Sequence, residues 1–355
     1  MNNSLKIRSA LAQSEFDALL LTDPISCRYA TGFNFTDGAV VITAYDMFLI
    51  TDSRYEEAAA ESVPNAHICL FSMKKRLADW LNEIIRTSGA KTIGAESKRM
   101  SHASWQHWSE TLPVPLVPAD GILEKLRACK SQEELDMLIA AQRIAEKALD
   151  EVLGLIVPGV TEREIEAALV ASMLRAGADG VSFDPIVVTG KKTSMPHGVP
   201  GDVKVAYGDF VTMDFGCIKD GWCSDMTRTV AVGSADSEMR NIYSVVLEAQ
   251  LAGIAAARPG VPGCDIHNAA AKVIDDAGYG EYFGHGFGHG LGLEIHETPS
   301  ASPGWTTSLP EGSVISAEPG IYLPGKYGVR IEDVLFLTGN EAVNITKAPK
   351  NLIIL

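Results

Sequence analysis

Residues 158–177 find an echo further along the chain. Pro158, Gly159, Val160, Ile165, Ala168, Ala176 and Gly177 recur 101 positions later as Pro259, Gly260, Val261, Ile266, Ala269, Ala277 and Gly278, and Ala148 falls over Ala249 at the same offset. The bland account is two helix pairs that share common turn residues. The sharper one is a duplicated unit of two helices followed by strands, folded about an internal pseudo-twofold axis. With only two copies, a solenoid is excluded.

Local signals place the elements of each copy. Ser131 and Glu134 form a capping box at the head of "SQEELDMLIAAQRIAEKALDEVLGLIVPG", which predicts a helix ending at Pro158-Gly159. Thr161 with Glu164 opens a second helix ending at Gly177. Strands follow: "DFVTMDFGCIKDGWCSDMTRTVAVG" (209–233), a hairpin turning at Asp220-Gly221, and later "SVISAEPGIYLPGKYGVRIEDVLFL" (313–337). This half of the chain reads as α+β, with antiparallel sheet inside and helices outside.

The first 125 residues have a different rhythm. Apolar runs at 17–23, 39–44, 47–52 and 67–71 read as strands, and Leu77, Trp80, Leu81, Ile84 and Ile85 share one helical face that stops at Gly89. A Pro-rich patch, "TLPVPLVPAD" (111–120), leads toward a boundary. The expectation is an α/β domain over 1–125 and an α+β domain over 126–355, in keeping with a length of 355 residues.

Composition narrows the function. Thirty basic against 45 acidic residues leave a formal charge of −15, which argues against a nucleic-acid partner. No run of eighteen apolar residues occurs, and the N-terminus lacks the pattern of an export signal, so a cytoplasmic protein with no membrane partner is expected. The six cysteines show no CxxC pair and read as free thiols, although Cys217 and Cys223 flank one turn and could face each other across strands.

Acids stand where the strands should be apolar. A two-residue turn at Asp220-Gly221 puts Asp214 opposite Thr227 with Asp225 diagonal to it; a turn one residue earlier puts Asp214 opposite Asp225. Both registers project the two carboxylates to one side. Glu318 and Glu332 stand in the second strand set, displaced by 104 and 107 residues from Asp214 and Asp225. If the duplication holds, four carboxylates converge, and unpaired they would each carry a desolvation penalty of several kcal/mol. A turn cap at Glu318, an edge-strand position for Asp214, or salt bridges to Arg228 and Arg330 would account for single residues. Two divalent cations would neutralise the set, and oxygen ligands suit Mn²⁺, with Co²⁺, Zn²⁺ or Fe²⁺ as alternatives.

Histidines complete the pattern. "HGFGHGLGLEIHE" (285–297) carries three imidazoles, with glycine at every second position from 284 to 292. Glycine there would leave room for metal, water and substrate beside the histidines.

In these residues the chain strongly resembles the pita-bread metallopeptidases: Xaa-Pro aminopeptidase, prolidase and methionine aminopeptidase. "FDPIVVTG", "PHG", "MDFG", "SDMTRT", "GHGLGLEIHE", "AEPGIY" and "VRIEDV" occur in the family's order, and "LLLTDPISCRYATGF" with "ITDSRYEEAA" is similar to the creatinase/prolidase N-terminal domain. The resemblance implies metal ligands at Asp214, Asp225, His289, Glu318 and Glu332, with Asp225 and Glu332 shared by two ions. It implies catalytic parts for His197, His296 and Glu318, the last as proton shuttle, and places His285 and Arg330 in the substrate pocket. Relatives are commonly dimers, so a homodimer is implied as well.

Within the family, an aminopeptidase that removes the residue before proline is the first expectation. Many prolidases carry an arginine directly after the HE-x-P segment, where it can bind a dipeptide's carboxylate, and this chain has Ser300. Prolidase is therefore the second expectation. Methionine aminopeptidase leaves the first 125 residues unexplained, and creatinase lacks the metal ligands. A non-catalytic peptide-binding module of the same fold is the alternative from another class, disfavoured by the intact ligand set.

Overall fold

Ala18–Leu21 is buried at all four positions and Ala39–Thr43 at all five, as strands covered on both faces must be. They sit at the centre of the sheet that organises the first of two units, Met1–Leu126 and Arg127–Leu355, in the computed structural model, which describes residues 2–355. The strand order is His67–Leu70, Met47–Thr51, Ala39–Thr43, Ala18–Leu21, Ile93–Ala95, Leu116–Pro118. Helix Leu77–Ser88 buries Leu81, Ile84 and Ile85 and ends at Gly89, whose φ of 73° only glycine adopts freely. The Pro-rich patch is not merely a boundary. Leu116–Pro118 pairs in parallel with Ile93–Ala95 at the sheet's edge, where a proline's missing N–H leaves no central ladder bond unmade.

The second unit repeats itself as the sequence suggested. Helices Gln132–Leu153 and Glu162–Arg175 form the first pair, Ser237–Ala256 and Gly263–Asp276 the second. Both expected capping boxes are made, Ser131 with Glu134 and Thr161 with Glu164. The long first helix stops at Leu153, short of the expected Pro158, because the following turn drives Ile156 into the core.

Backbone bonds repeat at nearly the same offset. Gly159 N donates to Val205 O and Val205 N to Val160 O; Gly260 N donates to Leu309 O and Leu309 N to Val261 O. Each half also has its own apolar core. Leu149, Ile165, Leu169, Met213 and Val230 belong to the first, and Val246, Ile266, Ile274, Ile315 and Leu335 to the second.

The strands lie antiparallel. Met226–Ala231, Phe210–Phe215 and Ile186–Thr189 make one sheet, Trp222–Cys223, Cys217–Lys219 and Gly180–Val181 a second, and Glu297–Ala301, Gly288–Gly290, Val314–Ala317, Asp333–Thr338 and Glu341–Asn344 a third. A separate hairpin pairs Gly320–Leu323 with Tyr327–Arg330. The chain from 348 to 355 returns to the first half. Ala231 and Gly233 donate to Ile353 O and Leu355 O, and the buried Arg228 guanidinium donates to Ala348 O, Pro349 O and the Asp333 carboxylate.

Of the two hairpin registers, the structure adopts the one with its turn at Asp220-Gly221. Both turn residues have positive φ, 48° and 80°, Lys219 pairs with Trp222, and Asp214 pairs with Thr227. The ladder breaks around Gly216, where an added Cβ would lie 1.9 Å from Ser224 O. Cys223 pairs with Ile218, so the two cysteines do not face each other, and all six thiols are free.

Gly216→Ala should therefore destabilise the fold by about 1–3 kcal/mol, as overpacking against backbone does. A thermal melt showing an unchanged midpoint would contradict this account of the break.

Candidate metal centre and active site

Each half of the second unit contributes two acids, both at strand ends. Asp214 lies near the end of Phe210–Phe215 and Asp225 just before Met226–Ala231; Glu318 follows Val314–Ala317 and Glu332 precedes Asp333–Thr338. Strand ends suit such groups, because the ladder stops and the side chains no longer compete with core packing. Hydrogen bonds then stitch the halves together. Glu332 N donates to Thr227 O, and Thr227 Oγ1 donates to Glu332 Oε2 at 2.7 Å.

Asp225 is 3% exposed and Glu332 1%. One oxygen of each and one nitrogen of His289 lie within 4.8 Å of one another. Burial, then repulsion from Asp214, pushes the Asp225 carboxyl well above its usual range, and burial, then repulsion from Asp225, does the same to Glu332. Burial also raises Glu318. The charge in the cluster is four carboxylates against one guanidinium, Arg330, whose Nη2 donates to Asp214 Oδ2 at 2.6 Å. Arg228, the other cation that the sequence offered, is committed to Asp333.

His289 shows what the cluster is built to hold. Its Nδ1 lies 3.1 Å from Gly290 O, and a carbonyl can only accept, so the proton sits on Nδ1. Burial lowers its pKa and keeps the ring neutral. The bare Nε2 lone pair then faces Asp225 Oδ2 at 3.4 Å and Glu318 Oε1 at 3.3 Å. A lone pair against two carboxylate oxygens is repulsive unless a proton or a metal cation lies among them. Asp214 Oδ1, buried and without a hydrogen-bond partner, adds another unanswered acceptor. This donor set, oxygen-rich with one imidazole nitrogen, fits divalent metal ions.

A cavity of about 750 Å³ opens over the cluster, lined by all nine residues singled out in the sequence: the four acids and the imidazole of the cluster, His197, His285, His296 and Arg330. His197 and His296 are exposed at its wall, and the His296 ring stands 4.3 Å from that of His289. His285 and Arg330 are instead turned inward. His285 Nδ1 donates to Gly286 O, its Nε2 accepts from Tyr322 Oη at 2.9 Å, and Arg330 Nη1 donates to the same Tyr322 oxygen. Arg330 Nε donates to Thr227 Oγ1, so one guanidinium orients both Asp214 and, through Thr227, Glu332.

Tyr322, Thr227 and Ser316 were not singled out in the sequence. Ser316 Oγ accepts from His289 N and donates to Glu318 Oε1. A signal existed for two of them, since Tyr322 and Thr227 lie inside "AEPGIY" and "SDMTRT". The glycines need a correction. An added Cβ would lie 1.9 Å from Ser316 O at Gly288, 2.4 Å from Glu297 O at Gly290 and 2.3 Å from Glu297 Oε1 at Gly292. These positions are filled by neighbouring strand and side chain; the glycines let protein approach protein, and only Gly286 and Gly288 also border the cavity.

Two outcomes are expected. Asp225→Asn should lower the metal content of purified protein, read by elemental analysis, with wild-type content counting against the site. The raised carboxyls ionise in the unfolded chain at about pH 4 but resist ionising when folded, so metal-free protein loses stability as pH rises above about 4. Its melting midpoint should climb as pH falls from about 8 to about 5.5, and saturating metal should reverse that slope because protons compete with the ion.

The comparisons agree with this geometry. The family model described as metallopeptidase family M24 matches residues 136–339, and the creatinase/prolidase N-terminal domain matches 5–129. The chain is similar to an Xaa-Pro dipeptidase of Pyrococcus furiosus, 34% identical over 98% of each chain. Among solved structures it is similar to an Xaa-Pro dipeptidase from Bacillus anthracis (39% identity, 99% of each chain, TM-score 0.95). An X-Pro aminopeptidase from Thermotoga maritima superposes with a TM-score of 0.93 at 33% identity, covering 98% of this chain and 100% of that one. The α/β unit followed by a duplicated pita-bread unit, the carboxylate and imidazole cluster, and these matches lead to one conclusion: the chain is a peptidase of metallopeptidase family M24.

Proposed function

We propose that the chain hydrolyses the Xaa-Pro bond of dipeptides, using two divalent ions, Mn²⁺ foremost, held by Asp214, Asp225, His289, Glu318 and Glu332. The observation that carries the hydrolytic reading is the His289 lone pair facing two carboxylates, Asp225 and Glu318, beside a cavity large enough for a short peptide. Dipeptides come first because relatives along the whole chain bear the name Xaa-Pro dipeptidase.

Bound in this cluster, such ions would acidify a water and polarise the scissile carbonyl. The protein's own groups do the rest. Glu318 is half-buried, its pKa is raised, and one of its oxygens is held by Ser316, which suits it to carry a proton to the leaving proline nitrogen. His197 and His296 donate hydrogen bonds to the charge that develops on the carbonyl oxygen, worth about 3–4 kcal/mol for one good donor. Tyr322 and Arg330 hold His285 and Asp214 in place, so the wall does not rearrange as charge moves.

A second reading, an aminopeptidase acting on longer Xaa-Pro peptides, is favoured by Ser300. It borders the cavity where some prolidases have an arginine, and its hydroxyl donates to Gly288 O and Ser302 Oγ. Arg330, the guanidinium on the wall, is tied to Asp214. Neither offers a free cation to a dipeptide's carboxylate.

Hydrolysis of Ala-Pro against Ala-Pro-Ala-Ala by metal-stripped protein reloaded with Mn²⁺, Co²⁺ or Zn²⁺ separates the two. A higher kcat/KM on Ala-Pro is expected. Preference for the tetrapeptide makes the chain an aminopeptidase, and no turnover of either with any metal overturns the Xaa-Pro reading.

A further inference from the structure

Four charged side chains that the mechanism does not use lie beside His296. Arg127 Nη2 donates to Glu294 Oε2 at 2.6 Å and also to Glu297 Oε2; Lys130 Nζ donates to Glu297 Oε1 at 2.7 Å. The side chains of Arg127 and Glu297 are 6% exposed, and that of Lys130 is 1% exposed. The group is neutral overall, two acids against two bases. Gly292 belongs to it as well, since any side chain there would collide with the Glu297 carboxylate.

Stability alone does not account for such an arrangement. Each ion gives up its hydration on burial, and well-packed apolar residues of the same size are often equally or more stabilising. What ions provide that apolar packing does not is directional bonding at fixed distances. The sequence shows what is being directed. Glu294 and Glu297 bracket Ile295 and His296 in "EIHE"; the two acids turn toward Arg127, and the two residues between them border the cavity. The backbone here is short of regular support, with a register shift after His289 and a tight Gly292 N to Glu294 O bond.

We propose that Arg127 and Lys130 lock Glu294 and Glu297 so that His296 is presented to the cavity at a fixed position, making Glu297 a positioning residue for His296. Glu297 does not reach the substrate; it acts through the residue before it. The inference rests on the part given to His296 in Xaa-Pro hydrolysis, and its test is arranged so that the two can fail separately.

The test compares wild type, Glu297→Gln, His296→Ala and the double variant for kcat, KM, metal content and melting midpoint, with hydrogen–deuterium exchange read across residues 291–297. Glu297→Gln should lower kcat by about 10-fold or more with KM changed less than about 2-fold, the range for residues that orient catalytic groups. In the His296→Ala background the same substitution should change kcat by less than about 2-fold. Exchange in 291–297 should rise while metal content stays at the wild-type level. An equal loss of kcat in both backgrounds, or metal lost in step with activity, overturns the positioning role. Unchanged exchange in that segment overturns the lock even if no substrate is turned over. Full activity of His296→Ala with raised exchange in Glu297→Gln sinks the hydrolytic part of His296 and leaves the lock standing. Should Glu297→Gln fail to fold, Glu294→Gln, which removes one arm of the lock, carries the same measurements.

Discussion

Like charges forced together out of water are the constraint around which the second unit is organised. Asp225, Glu332 and Glu318 are held where burial makes their ionised forms unfavourable, and Asp225 and Glu332 each feel the other acids as well. A fold tolerates this only when the surrounding bonds leave the groups no escape. Here Thr227 holds Glu332, Ser316 holds Glu318, and Arg330 holds Asp214. The penalty carried by the metal-free protein is the same free energy that a bound cation recovers, so strain and affinity are two views of one arrangement.

Duplication explains how a chain arrives at such a site. A single helix-pair-and-sheet unit presents two acids at the ends of its strands; joining two copies brings four together. The halves have since diverged. The first carries two three-stranded sheets, the second a two-stranded and a five-stranded sheet, the latter also supplying His289, and the fourth helix opens on Pro262 with no side-chain cap where its counterpart uses Thr161. What the copies kept in common is the backbone bonding around Gly159 and Gly260, which sets the angle between helix pair and strands.

Features written within a few residues could be read from the sequence. The capping boxes and the Asp220-Gly221 turn are local and lie where the pattern put them; of the four acids only Asp214 is inside a strand, the others standing just beyond strand ends. The edge strand Leu116–Pro118 was hidden because proline argues against a strand unless its edge position is known. The glycine run was visible, yet its purpose was misjudged, since only the neighbouring strand shows what occupies the vacated space. The contacts of Arg127 with Glu297 and of Arg330 with Asp214 span 170 and 116 residues. No periodicity or spacing rule reaches that far.

The return of residues 348–355 to the first half bears on how the protein is made. Arg228 lies on a strand of the first half, but three of its partners, Asp333, Ala348 and Pro349, are more than 100 residues further on. During synthesis the first half emerges with its helices and its own core, while that guanidinium waits for acceptors still inside the ribosome. A nascent chain can fold the scaffold around Asp214 and Asp225 early, yet its site is incomplete until Glu318 and Glu332 have followed. Newly made polypeptide thus passes through an interval in which its first half is shaped while the four acids are not yet together.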